Sequence, residues 1–195
     1  LKEALQQGID KQVVNLTKTD GFYNNSLVRI GLPSELQKVE KTLRDVGLGS
    51  LADEGIKSLN KAASNAVKEA TPIFVDAITK MTISDATNIL MGNKNAATQY
   101  LQKSTKTSLY SKFNPVIKSS FTKVGADKVW SNIITKYNAI PTVKKVNPDL
   151  TDYVTQQALT GVYTMIEKEE LNIRNNVSAR STNLLKSVFA MQDKK

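Results

Sequence analysis

The sequence of 195 residues contains neither cysteine nor histidine. Without cysteine the chain cannot form disulfides, thiolate nucleophiles or zinc ribbons, and without histidine it has no imidazole base or imidazole metal ligand. No apolar run approaches the roughly 20 residues needed to span a bilayer. Any enzymatic chemistry would therefore depend on carboxylates, lysine, tyrosine or hydroxyl side chains.

Alternating strand-like runs are also nearly absent, whereas apolar residues recur at spacings of three and four along almost the whole chain. This pattern predicts an all-α fold, a single compact domain of eight to ten helices over residues 1–195. The helices are expected at 1–18, 34–46, 51–69, 72–81, 83–91, 95–113, 115–124, 126–138, 149–173 and 179–190. Of the two long loops, 19–33 and 139–148, the first carries many large apolar groups and is expected to pack across the body.

Local signals mark the expected helix ends. Three hydroxyl residues have the spacing of a capping box: Ser34 with Gln37, Ser50 with Asp53, and Thr82 with Asp85. Two dipeptides, Asn114-Pro115 and Asn147-Pro148, are typical of an N-cap followed by the first helical residue. Three glycines follow apolar helical runs and can adopt the left-handed conformation that ends a helix: Gly47, Gly92 and Gly125.

The positive charge is concentrated in one stretch. Residues 86–148 contain ten lysines and one acid, Asp127, which accounts for the whole net charge of +9, and the rest of the chain carries 17 basic and 17 acidic residues. Helical phase places these lysines on outward faces, with Lys103 and Lys106 on one predicted helix and Lys128 and Lys136 on another. The four lysines would form one basic surface if the two helices pack side by side.

Three interpretations of this lysine-rich stretch remain open. Nucleic-acid binding would use contacts to phosphates, but the stretch lacks arginine and its aromatic residues occupy core positions, which disfavours sequence-specific recognition. Adsorption to anionic lipid or envelope polysaccharide requires only point charges, which lysine supplies. The third interpretation is a solvated face that keeps the protein soluble.

One carboxylate is expected to lie in the apolar core. The stripe that begins at Leu150 continues through Ile166 to Ile173, and helical phase places Glu169 on its inward face. Burial would raise the pKa of Glu169 and make it a proton-transfer candidate, unless an arginine compensates it. The possible partners are Arg174, Arg180, Arg29 and Arg44. Structural pairing is the more frequent outcome for such a group, and Glu170 with Arg174 has the spacing of an ordinary i,i+4 helix pair.

No catalytic motif accompanies these residues. Two Ser-x-x-Lys matches, at 58–61 and 120–123, are expected by chance in a chain this rich in serine and lysine. The acids of the C-terminal third lack a calcium-binding loop, and the chain has no Walker loop and no dinucleotide fingerprint. The sequence therefore predicts no catalytic residue, no metal site and no cofactor.

Several blocks in a fixed order nevertheless resemble one family. They are residues 20–33, VGLGSLAD at 46–53, PIFVDAITKMTISDATNIL at 72–90, AATQYL at 96–101, and DYVTQQALTGVYTMIEKEELNIR at 152–174, followed by Arg180 and LLKSVF. Over nearly the whole chain this resembles the bacterial domain of unknown function 4197 family. The positions most like the family's pattern are Asp20, Gly21, Arg29, Asp76, Asp85, Tyr100, Glu169, Glu170, Arg174 and Arg180.

The resemblance implies an all-helical protein exported behind a signal peptide or lipoprotein signal. Its location would be the periplasm or the periplasmic side of the outer membrane, and no activity, ligand or catalytic residue is implied. The chain begins at Leu1, without Met and already in helical phase, which predicts that an N-terminal segment has been removed, either as an export signal or by simple trimming.

The resulting hypothesis is a binding or structural module at the bacterial cell envelope rather than an enzyme. It would contact an anionic surface through Lys103, Lys106, Lys128 and Lys136. The alternative is a small-ligand binder or enzyme with a pocket around Glu169, for which the further ligand-binding candidates are Glu170, Arg174, Arg180 and Arg29. The oligomeric state is left open.

Overall fold

A computed structural model describes residues 1–194, which form nine α-helices and no strand. The helices are α1 (Lys2–Thr17), α2 (Gln37–Asp45), α3 (Gly49–Val67), α4 (Ala70–Thr79), α5 (Ile83–Met91), α6 (Ala96–Val124), α7 (Ala126–Asn138), α8 (Thr151–Asn175) and α9 (Asn183–Phe189). Two short 3-10 segments, Ser34–Leu36 and Val177–Ala179, precede α2 and α9. The all-α prediction is confirmed.

Helices α3, α6 and α8 form the centre of the molecule and share one large apolar core with α1 and α4. Hydrogen bonds at the two ends of α6 show that it runs antiparallel to α8. Thr98 contacts Glu170, whereas Asn114 contacts Thr155. Between them the buried Tyr163 hydroxyl lies 2.8 Å from Thr105 Oγ1, and burial raises the pKa of Tyr163.

The two longest helices bury rows of residues at a constant spacing of four. The row of α6 is Ala97, Leu101, Thr105, Leu109, Phe113, Ile117 and Phe121, and that of α8 is Val154, Ala158, Val162, Ile166, Glu170 and Arg174. Each step of four turns the row by about 40°, so the row of α6 winds by about 240° around its axis. This winding lets α6 contact α3, α4, α5, α7 and α8.

The winding row also determines which residues of α6 face inward. A fixed face places Ser104 and Ser108 toward the core, but both are exposed. Thr105 and Leu109 are fully buried in their place. A spacing of three and four in alternation keeps one face constant, whereas strict fours shift it steadily around the helix.

Helix α6 continues through Pro115, so the predicted break there was wrong. Proline inside a helix removes one backbone hydrogen bond. Asn114 does not act as a cap but donates from Nδ2 to Tyr110 Oη and Thr155 Oγ1, both at 3.3 Å. Phe113 and Ile117 on either side are fully buried. These tertiary contacts keep the two predicted halves in one helix.

The segment between α1 and α2 packs across the body, as its apolar content predicts. Phe22 and Ile30 are buried, and a Cβ at Gly161 of α8 would lie only 2.8 Å from Phe22 Cε1, so the close approach of the segment requires glycine there. Asn60 of α3 holds the backbone of Ile30: its Oδ1 accepts from the amide at 2.7 Å and its Nδ2 donates to the carbonyl at 2.8 Å. The amide side chain thereby satisfies a buried stretch of loop backbone.

Three of the predicted helix ends are confirmed. Gly47 has φ +84°, and the amides of Gly47 and Leu48 donate to the carbonyls of Arg44 and Leu43, which is a Schellman motif. Gly125 has φ +68° between α6 and α7. Thr82 and Asp85 form the predicted capping box at the start of α5.

Four other end signals were wrong. Ser34 and Ser50 make no capping hydrogen bond, because a 3-10 turn precedes α2 and α3 already begins at Gly49. Gly92 ends α5 with extended backbone, not with a left-handed residue. Asn147-Pro148 forms a turn ahead of α8, in which Asn147 Oδ1 accepts from the amide of Asp149 at 3.0 Å.

Candidate functional site

Glu170 of α8 caps the N-terminus of α6. Its carboxylate accepts from the amides of Ala97 and Thr98 at 2.9 Å each and from Thr98 Oγ1 at 2.7 Å. The first amides of a helix have no partner within the helix and carry partial positive charge. Asn95 at the cap position makes no capping bond with its side chain. The acceptor for this helix end therefore comes from a distant part of the chain.

Arg174, one turn later in α8, caps the C-terminus of α5. Its Nη2 donates to the carbonyl of Ile89 at 2.7 Å and its Nη1 to that of Leu90 at 3.2 Å. Its Nε donates to Glu170 Oε1 at 2.9 Å, and both side chains are buried. The i,i+4 pair predicted from the sequence thus bridges the end of one helix and the start of the next.

Arg180 repeats the arrangement at the C-terminus of α8 itself. Its Nε donates to the carbonyl of Ile173 at 3.0 Å, and its Nη2 donates to that of Arg174 at 3.1 Å. It is buried and forms an ion pair with Asp193 beyond α9. Hydrogen bonding within this pair raises the pKa of Arg180 and lowers that of Asp193.

Glu170, Arg174, Arg180 and Asp193 form what we call the helix-end cluster. The carboxylate of Glu170 accepts four hydrogen bonds, which equals the number of lone-pair positions that it offers. The guanidinium groups are likewise directed at backbone carbonyls and at acidic or amide partners. The cluster is therefore arranged to hold helix ends together.

Glu169 lies at the edge of the core and not in its middle. Its side chain is 14% exposed, and it accepts from Lys11 Nζ at 2.8 Å and from Gln12 Nε2 at 3.2 Å. The compensating cation is thus a lysine of α1, whereas the sequence suggested an arginine. The buried member of the pair of glutamates is Glu170, because the core row of α8 advances in fours from Ile166.

A small cavity lies beside Glu169, between α1 and α8. Its volume is about 30 Å³, and its walls are mostly apolar, including Leu5, Ile9 and Ile166. One water molecule needs roughly 10–15 Å³ of such space, so the cavity has the scale of one or two waters. The buried Oε1 of the neighbouring Gln12 has no hydrogen-bond partner among the described residues.

Arg29 differs from the other candidate arginines because it is exposed. Its guanidinium lies over the ring of Tyr23, 4.1 Å from the centroid, and Lys57 Nζ lies 5.3 Å from the same centroid. Within residues 1–194 it has no carboxylate at ion-pair distance, although Arg29 and Lys57 both help to lower the pKa of nearby Asp53, after the larger effect of the Arg44 hydrogen bond. Arg29 is not part of the helix-end cluster.

All ten lysines of the stretch 86–148 are exposed. Lys144 pairs with Glu35 at 2.6 Å, and this hydrogen bond lowers the pKa of Glu35 to about 2. The other nine have no acidic partner within the described part of the chain. Lys103 and Lys106 lie in the first half of α6, whereas Lys128 and Lys136 lie on α7, which follows the far end of α6.

The structure also contains a groove that the sequence did not indicate. It lies between α3, the end of α6 and α7, has a volume of about 540 Å³, and is lined in part by Leu51, Val129 and Trp130. Val129 of α7 is 47% exposed at this groove. The local signal is Gly55: a Cβ there would lie 2.5 Å from Trp130 Cζ2, so glycine is required for the indole to approach α3.

Residues 1–194 contain neither a metal-binding cluster of acidic side chains nor a membrane-spanning helix. No three acidic side chains come close enough together to hold a metal ion. No helix in the same range combines the length and the apolar character needed to cross a bilayer.

The nine helices and the helix-end cluster define an all-helical protein in which charged side chains of α8 fasten the ends of other helices. Residues 1–190 match the model of the family described as "Protein of unknown function (DUF4197)". The chain belongs to this family, as the sequence blocks predicted. Neither a curated protein nor a solved structure matches the chain.

Proposed function

We propose that this protein is a non-catalytic binding module that attaches to an anionic lipid surface through the exposed lysines of α6 and α7. The observation that carries the proposal is the exposure of all ten lysines in residues 86–148, nine of them without an acidic partner in the described chain. Only Asp127 opposes them within the stretch. The net charge of the protein is therefore presented to solvent from one part of the chain.

These lysines are spread over the surface of the protein and do not converge on one ligand-sized site. Because the buried row of α6 winds around its axis, its exposed face winds as well, and Lys103 and Lys123 point in different directions. A subset that shares one face can approach a diffuse negative potential together, where each lysine near the surface contributes about 1 kcal/mol. Specific recognition of a nucleic acid would instead favour arginine with its bidentate geometry.

The resemblance stated above supports a location at the bacterial cell envelope, either in the periplasm or anchored to the outer membrane from the periplasmic side. Anionic lipid headgroups are available on such membranes. The envelope location and the lipid surface together form one proposal, which accounts for the charge and needs no catalytic residue.

The test is a binding titration with vesicles of phosphatidylglycerol and of phosphatidylcholine at roughly 50 and 200 mM salt. We expect binding to the anionic vesicles alone, and binding that weakens strongly at the higher salt. The variant K103A/K106A/K128A/K136A should bind about 100-fold more weakly or worse, since four contributions of about 1 kcal/mol are lost.

A matched control removes four exposed lysines from elsewhere, K38A/K68A/K168A/K186A, and leaves the same net charge as the first variant. Equal weakening in both variants would show that only net charge matters and would overturn the assignment to α6 and α7. Duplex DNA bound as tightly as the vesicles, with the same dependence on the four lysines, would favour a nucleic-acid partner and contradict the proposal.

The alternative function, a ligand pocket around Glu169, has less support. The adjacent cavity is about 30 Å³ in volume, and the carboxylate already accepts from Lys11 and Gln12. Typical small-molecule pockets measure roughly 300–1,000 Å³. Of the other ligand-binding candidates, Glu170, Arg174 and Arg180 hold helix ends, and only Arg29 has its charged group exposed.

A further inference from the structure

Apolar side chains are exposed together where the α2–α3 turn lies near the α6–α7 turn. Leu51 at the start of α3 is 44% exposed and Val129 of α7 is 47% exposed, and both line the groove between these helices. We propose that this groove binds a single-chain anionic amphiphile, meaning one apolar chain that ends in a carboxylate or a phosphate. The apolar chain of this ligand would lie against Leu51, Val129 and Ile133.

The groove has the dimensions and lining of a small-molecule site. Its volume of about 540 Å³ lies within the range of 300–1,000 Å³ that is usual for such pockets, which are mostly apolar with a few polar groups. Ala52, Ala62 and Leu43 add further apolar surface from α2 and α3. Transfer of an alkyl chain from water to this surface is favoured by the hydrophobic effect, in proportion to the apolar area that it buries.

The charges around the groove favour an anionic head. Three exposed lysines line it, Lys57 and Lys61 of α3 and Lys123 of α6, and none lies within ion-pair distance of a carboxylate in residues 1–194. They outnumber the two acids of the lining, Asp20 and Glu54. Lys57 and Lys61 are one helical turn apart, so both can approach one anion.

Trp130 supplies an independent indication of a ligand. The residue is only 4% exposed, and its indole Nε1 is buried without a hydrogen-bond partner among the described residues. The edge of the ring next to Nε1 lies against Gly55, which is part of the groove lining. A buried donor without a partner is uncommon and unfavourable, and an anionic head that reaches this edge of the ring would supply the missing acceptor.

Trp130 is the only tryptophan in the chain, so its fluorescence reports directly on the groove. The experiment titrates the protein with dodecanoate and dodecyl phosphate below their micelle concentrations, and with dodecanol and acetate for comparison. We expect a saturable change with both anionic amphiphiles, binding of dodecanol at least about tenfold weaker, and no response to acetate. An equal affinity for dodecanol, or no response to either anionic amphiphile, would overturn the proposal.

Two variants locate the site without altering Trp130. L51E/V129E places charges on the apolar wall and should abolish the fluorescence response. K57A/K61A/K123A should weaken the binding of dodecanoate at least about tenfold and leave the binding of dodecanol unchanged. The control K103A/K106A/K136A removes three lysines that do not line the groove and should bind dodecanoate as the unmodified protein does. A groove variant that binds dodecanoate normally, or a control that fails to bind, contradicts the proposal.

This inference can be separated from the vesicle-binding function, because of the exposed lysines of α6 and α7 only Lys123 lines the groove, and the four lysines varied in the vesicle test do not. Loss of vesicle binding in K103A/K106A/K128A/K136A with normal dodecanoate binding would separate the two. A Trp130 response to anionic vesicles without any response to monomeric dodecanoate would mean that the groove contacts a membrane and holds no single chain, and would refute the inference.

Discussion

The two ends of the molecule differ in whether their charged side chains are buried and hydrogen-bonded or exposed and without ion pairs. At one end, which we call the capped end, Glu170, Arg174 and Arg180 are buried and bonded to the ends of α5, α6 and α8. At the other, the groove end, Lys57, Lys61 and Lys123 line an apolar groove, and none of them lies within ion-pair distance of a carboxylate in the described chain. Helix ends offer unpaired amides and carbonyls, whereas the middle of a helix offers none. The charged groups of the capped end are therefore bonded to helix ends, whereas Lys57 and Lys61 lie on the flank of α3 and remain available for a partner.

Among the substitutions that test this comparison, E170A at the capped end should have the largest effect on the free energy of unfolding. It leaves Arg174 buried without its carboxylate and removes the acceptor for two amides of α6. We expect the free energy of unfolding to fall by about 3–5 kcal/mol, measured by urea denaturation. The control is E167A on the same helix, because the only side-chain hydrogen bond of Glu167 within residues 1–194 is a 3.5 Å contact with Asn95, and its loss should lower the free energy of unfolding by about 0.5 kcal/mol or less. Equal effects of the two would contradict the role given to Glu170.

At the groove end, G55A should have a smaller effect. The new Cβ would lie 2.5 Å from Trp130 Cζ2, and overpacking of this kind costs about 1–3 kcal/mol, partly offset by the better helix propensity of alanine. We expect a net loss of about 1 kcal/mol and a shift of the Trp130 emission. G31A is the control, because nothing lies within 4 Å of its Cβ position and its φ is not left-handed. An unchanged emission in G55A would show that the indole does not approach α3.

The pair of Arg180 and Asp193 makes the capped end sensitive to acid. Arg180 lowers the pKa of Asp193, so the pair contributes stability above the ordinary pKa near 3.8 and loses it as the pH falls below that value. The difference in unfolding free energy between the unmodified protein and D193N should therefore be full at pH 7 and 5 and smaller at pH 3. Urea denaturation at the three values measures it. A difference that stays constant down to pH 3 would contradict the ion pair.

E169Q should have the smallest effect on the free energy of unfolding, and it tests whether Glu169 contributes less to stability than its neighbour Glu170. Its partner Lys11 is mostly exposed, and such pairs contribute about 0.2–1 kcal/mol. We expect a loss of unfolding free energy in that range, with K11M giving a similar value. A loss of unfolding free energy as large as that of E170A would mean that Glu169 stabilises the fold as much as Glu170 does, and would contradict the difference drawn between the two glutamates.

Most of the fold could be predicted from the sequence, because the spacing of apolar residues directly indicates local secondary structure. The helical class, the packing of the segment around Phe22 and the capping box at Thr82 all follow from residues close together in the chain. Pro115 was misleading because the contacts that keep it in α6 come from α8, which lies far away in sequence. Local signals give the wrong helix end where tertiary packing outweighs them.

The candidate site could be predicted only in part from the sequence. The pairing of Glu170 with Arg174 follows from their spacing, but the partners that explain it are backbone groups of α5 and α6, which no side-chain pattern reveals. The choice of Glu169 as the inward carboxylate failed because the core row of α8 advances in fours. The groove was missed because its walls come from three helices, and the one local sign was a glycine in the middle of α3.

The bridge made by Glu170 and Arg174 has a consequence for hydrogen exchange. One turn of α8 fastens both sides of the α5–α6 connection, and Arg180 and Gln192 attach the last residues to the same turn. Opening of that turn would release all of these contacts together. The amides of residues 89–98 and 170–193 should consequently exchange as one cooperative unit with a shared opening free energy.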